Sequence, residues 1–324
     1  MGEFELIDRF FRRSTGGRGV ALGIGDDCAL LAPQPGMQLA VSSDLLLEGR
    51  HFFRDVDPQR LGHKALAVNL SDLAACGARP LAFTLALALP AADEAWLAPF
   101  ARGLLALADA HGCALVGGDT TRGALAICIT VFGEVPAGQA LLRSGARAGD
   151  DLYVSGTLGD ARLALEALRG TVRLPTALLA TTRDRLEQPT PRVALGQALR
   201  GTASAAIDVS DGLLGDIGHV LQQSGVGARI DTDAALELLA ARHAHARDLP
   251  ADDQLLAWVL AGGDDYELAF TASPDQRDAV AAAAQASATT VTCIGRIEAA
   301  PGCRLVDAQG RAVQVPARSF DHFA

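Results

Sequence analysis

Lysine is almost absent from this sequence. Lys64 is the single lysine among 324 residues, and every other fixed cation is an arginine. A Walker-type phosphate loop needs a lysine after a glycine, and a site of the protein kinase type needs a lysine on a strand. Lys64 stands in neither context, so the sequence excludes both of these nucleotide-binding arrangements.

Long apolar runs and paired cysteines are also lacking. No segment approaches the roughly 20 apolar residues that cross a bilayer. The first thirteen residues are charged and amphipathic, unlike a signal peptide. The six cysteines stand singly, without the spacing of a zinc site, and are expected to be small buried side chains in a reducing compartment. These absences predict a cytoplasmic protein with no membrane partner.

Net positive charge is the third absence. The formal net charge is −10, which argues against nucleic acid or an anionic membrane as a partner, because both require a basic surface. Hydrophobic residues make up 49% of the chain and charged residues 20%, a balance typical of a globular enzyme. The length allows two domains, each with its own core.

Strand and helix patterns alternate along both halves of the chain, which predicts two mixed α/β domains. A turn-rich segment, 146–161, marks the boundary, so residues 1–145 and 146–324 are the predicted domains. The elements that matter most for function are predicted as follows: strands at Gln38–Ser43, Cys113–Val116 and Ala205–Val209, and helices that begin at Pro58 and Leu213.

Aspartates beside glycine or serine recur at the expected strand ends and turns. Glycine allows the backbone to turn sharply and to approach a ligand closely. Converging carboxylates repel one another unless cations lie between them, and oxygen ligands without His or Cys favour Mg²⁺. The sequence therefore predicts an acidic pocket that binds several Mg²⁺ ions and, through them, a polyphosphate. The aspartates concerned are Asp26, Asp27, Asp44, Asp72, Asp119, Asp208, Asp211, Asp264 and Asp265.

Local spacing adds detail to this prediction. Asn69 and Asp72 are three residues apart in the helix from Pro58, so they are expected on one helix face. Asp208 and Ser210 are two apart at a strand end and are expected to point the same way. The free N–H groups at the start of the following helix, and the arginines at 143 and 147, are candidates for holding phosphate oxygens.

Taken together, these motifs resemble the thiamine-monophosphate kinase family, within the superfamily of aminoimidazole-ribonucleotide synthetase and selenophosphate synthetase. The resemblance extends from GEFELI at the start to SFDHF at the end. The motifs that carry it are GIGDDCALL, SSDLLLEGRHF, NLSDLAACGA, GGDTTRG, RSGARAGDDLYVSG, DVSDGL and GGDDYELAFT.

The resemblance implies a PurM-like fold of two α/β domains, N-terminal domains that pair into a homodimer, and ATP and its metals between acidic loops. Two positions depart from the family pattern: Asp264 stands where Glu is usual, and Phe320 where Tyr or Trp is often found. Both changes keep the chemical type and so bear on affinity more than on activity. The implied roles are as follows: metal ligation by Asp27, Ser42, Ser43, Asp44, Asp72, Asp119, Asp208 and Asp211; ATP binding by Gly118, Asp119, Arg143 and Ser210; substrate binding by His51, Asp264 and Phe320; and catalysis by Asp72, Asp119 and Arg143.

The expected reaction converts ATP and thiamine monophosphate into ADP and thiamine diphosphate, the last step of thiamine diphosphate biosynthesis. The acceptor phosphate is already ionised, so direct in-line transfer needs no strong base. The alternatives are another ATP-dependent synthetase of the superfamily, a two-metal phosphatase, or a non-catalytic nucleotide- and metal-binding module. ATP serves as co-substrate, Mg²⁺ as metal, and a requirement for a monovalent cation stays open.

Overall fold

A computed structural model describes residues 2–13 and 17–315. Contacts between Cα atoms divide the chain into two compact units, one of residues 1–73 and 78–138, the other of residues 74–77 and 139–324. The second unit thus begins at residue 139, before the boundary predicted at 145–146. Residues 139–145 belong to it because they are hydrogen-bonded to it. The Leu142 carbonyl accepts the Ala206 amide at 2.9 Å, and the Gly145 amide donates to Ser224 Oγ at 3.1 Å.

The first unit contains a four-stranded sheet in the order β3-β6-β4-β5, in which β4 and β5 are parallel and the other pairs are antiparallel. A short antiparallel pair, β1 and β2, lies outside it. The elements are α1 Glu3–Phe10, β1 Val20–Leu22, β2 Leu30–Leu31, β3 Met37–Leu47, α2 Pro58–Ala75, β4 Arg79–Leu89, α3 Glu94–His111, β5 Ala114–Arg122 and β6 Ala126–Pro136.

Helix α2 carries the predicted acidic motif, and local chemistry determines where it starts. Asp57 Oδ1 accepts the amides of Gln59 and Arg60 at 2.8 and 3.1 Å, and Pro58 takes the first helical position. A Cβ on Gly62 would lie 2.1 Å from the Phe100 carbonyl oxygen of α3. The two helices therefore approach closely because there is no side chain at this position.

The second unit contains a six-stranded sheet in the order β12-β9-β11-β7-β10-β8, with only the β12–β9 pair parallel. One face carries the main core, formed with α7, α8 and α10. The elements are β7 Asp151–Ser155, α4 Asp160–Leu168, α5 Thr176–Glu187, α6 Val193–Ala198, β8 Ala205–Val209, α7 Leu213–Ser224, β9 Gly227–Asp231, α8 Thr232–Leu236, α9 Ala240–His245, α10 Asp252–Ala261, β10 Glu267–Ala272, α11 Arg277–Ala286, β11 Val291–Glu298 and β12 Gly302–Val306.

The predicted α/β class is confirmed, and several local expectations change. Strands β3 and β5 continue past their predicted ends, so Asp44 and Asp119 lie within strands. Four of the six cysteines, at positions 28, 76, 293 and 303, are exposed, two of them in turns or loops and two on β11 and β12, so the expectation that they are buried is wrong. Within the described ranges, no helix has the length and apolar character needed to cross a bilayer.

Candidate active site

Strand β3 and helix α2 bring the side chains of Ser42, Asn69 and Asp72 together with the main chain of Asp44. Ser42 Oγ donates to Asp72 Oδ2 at 2.5 Å, and the Asp44 amide donates to Asn69 Oδ1 at 3.1 Å. Asn69 is oriented in turn by its Nδ2, which donates to the Ala65 carbonyl at 3.0 Å. The prediction that Asn69 and Asp72 share a helix face is confirmed, and that face meets β3.

Ser43 lies on the opposite face of the sheet from Ser42. Its hydroxyl contacts Thr130 Oγ1 at 2.9 Å and donates to the Ile129 carbonyl at 3.1 Å. Successive side chains of a strand alternate between faces, so the structure does not bring this hydroxyl to Asp72. As a metal ligand, Ser43 would have to use its main-chain oxygen.

Two further candidate metal ligands of the first unit are Asp27, which lies in a turn, and Asp119, which lies on β5. The Asp27 amide donates to Asp26 Oδ1 at 3.0 Å in an exposed turn. Asp119 is in register with Ala86 of β4 and follows Gly118, whose φ is 146°. A Cβ on Gly118 would lie 1.8 Å from the Leu85 carbonyl oxygen, so only glycine fits there.

The donors assembled in this way are carboxylate and hydroxyl oxygens without histidine or thiolate, which is the set that Mg²⁺ prefers. Among the residues that the structure describes, no group of three or more His, Cys, Asp or Glu stands in an arrangement ready to hold a metal ion. The side chains proposed to bind Mg²⁺ stand on separate segments, and the chemistry of their oxygen atoms fits the ion.

In the second unit, Asp216 organises the loop that carries Ser210 and Asp211. Its Oδ2 accepts the amides of Ser210, Asp211 and Gly212 at 3.0, 3.1 and 3.1 Å. Burial, and then the charge of Asp211, raise the pKa of the Asp216 carboxyl to about 7, while the three amides act in the opposite direction. Asp208, at the end of β8, is buried just before this loop.

This arrangement removes three amides just before α7 from the anion site expected there, whereas the expectation for the first amides of α7 itself stays a prediction. The three residues preceding α7 direct their N–H groups at a carboxylate of the chain itself, which takes the place that an incoming anion would take. The sequence contains the signal, because Asp216 lies in the first turn of the helix, where an acid complements the helix dipole.

The GGDDY segment that carries Asp264 folds against the same loop. The Asp264 amide donates to the Ser210 carbonyl, and the Tyr266 amide to the Val209 carbonyl, both at 2.8 Å. Asp264 and Tyr266 adopt φ values of 62° and 52°, a left-handed conformation that is costly for residues with a side chain. The structure thus brings the predicted substrate residue Asp264 next to Ser210 within one unit.

Sequence reasoning missed the buried charges behind this segment. Glu267 is fully buried: it binds Arg192 through two contacts of 2.6 Å, and it accepts from Arg185 and Ser155 at the same distance. Asp265 is 1% exposed and accepts the Gly159 amide with both oxygens, at 3.0 and 3.2 Å. The sequence does contain a signal for this cluster, since Glu267 is a charged residue at the start of β10, whose other residues are mostly apolar.

Burial of Asp265 gives a pH-dependent prediction. Burial raises the pKa of its carboxyl well above the ordinary value; Arg185 and the Gly159 amide oppose this, and Asp160 and Glu267 add to it. The folded state therefore keeps a proton that the unfolded chain releases from about pH 4 upward. The free energy of unfolding should fall as the pH rises from about 4 through the folded-state pKa.

Asp265→Asn should make that decline shallower, because an amide has no proton to release, while Asp216, whose pKa is also raised, still contributes to the decline. Urea unfolding at a series of pH values in EDTA buffer measures the slope. Asp278→Asn, at an exposed position on α11, is the matched control and should keep the wild-type slope. Equal slopes for all three proteins would show that Asp265 does not titrate differently on folding.

Three residues predicted to bind substrate or nucleotide lie outside these clusters: His51, Arg143 and Phe320. His51 Nδ1 accepts the Leu47 amide at 2.9 Å, so the neutral ring carries its proton on Nε2. The Arg143 side chain is exposed and has no hydrogen-bond or ion-pair partner among the residues described. Phe320 lies outside the described residues.

Comparison with known proteins identifies relatives over the whole chain. The family model "AIR synthase related protein, N-terminal domain" matches residues 25–135, and "AIR synthase related protein, C-terminal domain" matches residues 147–308. The thiamine-monophosphate kinase of Salmonella typhimurium is 47% identical over 326 residues, covering 100% of this chain and 98% of the relative.

Two solved structures are similar as well. The crystal structure of thiamine-monophosphate kinase from Stenotrophomonas maltophilia K279a has a TM-score of 0.86 and 48% identity, and the match covers 97% of this chain and 98% of that one. A complex of AaThiL with AMPPCP and TMP has a TM-score of 0.74 and 27% identity, with 99% and 96% coverage.

Proposed function

Because the chain belongs to the thiamine-monophosphate kinase family, we propose that it transfers the γ-phosphoryl group of ATP directly to thiamine monophosphate, releasing ADP and thiamine diphosphate. The structural observation that supports this most strongly is the contact between Ser42 and Asp72 beside the Asp44–Asn69 pair. It places oxygen donors on a strand and a facing helix, as a kinase without a phosphate-binding lysine requires.

Magnesium fits the donor set and, when bound, would neutralise charge on the phosphates of both substrates. Ser42 holds the Asp72 carboxylate in one orientation, and Asp216 orients the loop of Ser210 and Asp211. The residues that would hold the ions are Asp27, Ser42, Ser43, Asp44, Asp72 and Asp119 in the first unit and Asp208 and Asp211 in the second.

The residues proposed to contact the nucleotide and the acceptor are those that the resemblance to the family implies. Gly118, Asp119, Arg143 and Ser210 would contact ATP, with the guanidinium binding phosphate oxygens. His51, Asp264 and Phe320 would contact thiamine monophosphate. The acceptor phosphate is itself the nucleophile, so none of these residues has to remove a strongly held proton.

The test is ADP release with thiamine monophosphate, thiamine and other phosphorylated acceptors. We expect turnover with thiamine monophosphate, little with thiamine, and no label on the protein after incubation with γ-labelled ATP alone. ATP hydrolysis independent of any acceptor would indicate the phosphatase alternative. Turnover only with a different phosphate acceptor or nucleophile would indicate another synthetase, and ATP binding without turnover would indicate a binding module.

We also propose that the protein is a cytoplasmic homodimer, with residues 1–145 as the ATP- and Mg²⁺-binding and dimerisation domain and residues 146–324 as the C-terminal domain. Strand β3 supports the pairing, since it is an edge strand whose outward face is apolar except at Ser43. Edge strands of this kind are rarely left uncovered. The exposed fractions are 46% for Leu39, 59% for Val41, 51% for Leu45 and 38% for Leu47.

Leu45→Asp should therefore convert the dimer to a monomer, because it places a charge in the middle of the proposed apolar contact. Size-exclusion chromatography with light scattering gives the mass directly. Leu142→Asp is the matched control, since Leu142 is equally exposed at 57% but lies outside β3. A dimer that survives Leu45→Asp but not Leu142→Asp would place the interface elsewhere.

A further inference from the structure

A cavity of about 430 Å³ lies in the second unit, and none of the residues that line it is assigned to metal, ATP or substrate binding. Leu152, Ala228 and Ile230 belong to the core on one face of the sheet. Their strand neighbours Asp151 and Arg229, which line the cavity, point to the opposite face. Helix α11 contributes Arg277 to the same wall.

The strand register places arginines side by side on this face. Arg229 of β9 is directly opposite Arg296 of β11 and is also in register with Arg304 of β12. Arg296 is in turn opposite Asp151 of β7. Like charges directly opposite each other on neighbouring strands destabilise a sheet, so a row of three adjacent arginines calls for anionic partners.

Two arginines near the cavity already have such partners. Arg304 donates to Glu298 at 2.6 Å. Arg277 binds both oxygens of Asp151 at 2.7 and 3.1 Å, and Asp151 is only 3% exposed. Arg296 reaches Asp151 only at 3.7 Å, so it shares an acid that Arg277 has largely neutralised.

The other two acids that line the cavity are also engaged. Asp231 Oδ1 caps α8 by accepting the amides of Asp233 and Ala234 at 3.0 and 3.1 Å. Asp307 Oδ2 accepts from Arg311 Nε at 2.7 Å. Arg229 has neither a hydrogen-bond partner nor an ion-pair partner in the described part of the chain. Two adjacent guanidinium groups, Arg229 and Arg296, therefore line the cavity: Arg229 has no carboxylate in close contact among the described residues, and Arg296 shares Asp151 with Arg277.

We propose that this cavity is a second ligand site, which binds the phosphate group of a small anionic molecule between Arg229 and Arg296. Each of the two guanidinium groups offers paired N–H donors that fit the oxygens of a phosphate. The site is independent of the proposed kinase reaction, because it shares no residue with the metal, ATP or acceptor sites.

Calorimetric titration with inorganic phosphate tests the proposal, in low-salt EDTA buffer so that no magnesium can bind. We expect one saturable site per chain, with affinity reduced about tenfold or more in Arg229→Gln and in Arg296→Gln, the scale of one charge-assisted hydrogen bond. Arg304→Gln is the matched control from the same row and should bind like wild type. Asp72→Asn should also bind like wild type, which separates this site from the kinase site.

Thermal unfolding adds a second measurement. Without phosphate at low salt, Arg229→Gln should melt at or above the wild-type temperature, because the repulsion from Arg296 is removed. Phosphate should raise the melting temperature of wild type and Arg304→Gln but not that of Arg229→Gln. The proposal is overturned if wild type shows no saturable binding, or if phosphate binds Arg229→Gln as tightly as wild type.

Discussion

Asp72→Asn is expected to lower kcat by at least about two orders of magnitude, the usual effect of removing one electrostatic contact to the transition state. Asparagine keeps the shape of the side chain and can still accept the Ser42 hydroxyl, which now contacts Asp72 Oδ2 at 2.5 Å. What it removes is the negative charge that a magnesium ion requires. Steady-state ADP release with saturating ATP and thiamine monophosphate measures the effect.

Two measurements show whether the loss concerns metal binding. The circular dichroism spectrum of Asp72→Asn should match wild type, whereas Mg²⁺ with a non-hydrolysable ATP analogue should stabilise the variant less. Asp109→Asn is the control, since that carboxylate is 62% exposed on α3 and pairs with Arg13. A folded Asp72→Asn enzyme with the kcat of Asp109→Asn would contradict the assignment of Asp72.

Glu267→Ala is expected to reduce the free energy of unfolding by about 3–5 kcal/mol, the cost of leaving buried charges without their partner. Glu267 is 0% exposed, and the side chains of Arg185 and Arg192 that bind it are 20% and 17% exposed. The substitution would leave both guanidinium groups in a largely dry environment. Urea denaturation followed by circular dichroism measures the change.

Glu298→Ala is the matched control for a carboxylate paired with arginine in the same unit. The side chains of Glu298 and Arg304 are 25% and 65% exposed, so this pair is well hydrated. Loss of this pair should lower the free energy of unfolding by at most about 1 kcal/mol. Equal costs for the two substitutions would show that the Glu267 cluster contributes no more than a surface ion pair.

Glu267→Ala should affect the substrate segment as well. Tyr266, Asp265 and Asp264 precede this glutamate directly, and two of them adopt left-handed φ values that the surrounding packing must maintain. We therefore expect a higher KM for thiamine monophosphate in any fraction that remains folded, with a smaller change in the KM for ATP.

Much of the candidate site follows from short-range patterns. Helical spacing places Asn69 and Asp72 on one face, and the structure confirms it through their contacts with β3. Strand alternation also separates Ser42 from Ser43, although the motif SSD suggests that both hydroxyls act together. The alternation was available from the sequence once β3 was predicted as a strand.

The sequence by itself determined the α/β class and the family, and it led to the proposal of oxygen donors for the metal, because periodicity, glycine position and residue type are local properties. Only the tertiary structure showed that Asp216 binds three loop amides, that Glu267 binds Arg185 and Arg192, and that Arg229 stands opposite Arg296. These contacts join residues by strand register, burial and packing, which depend on the whole fold. Charge pairing between distant segments cannot be predicted until the sheet order is known.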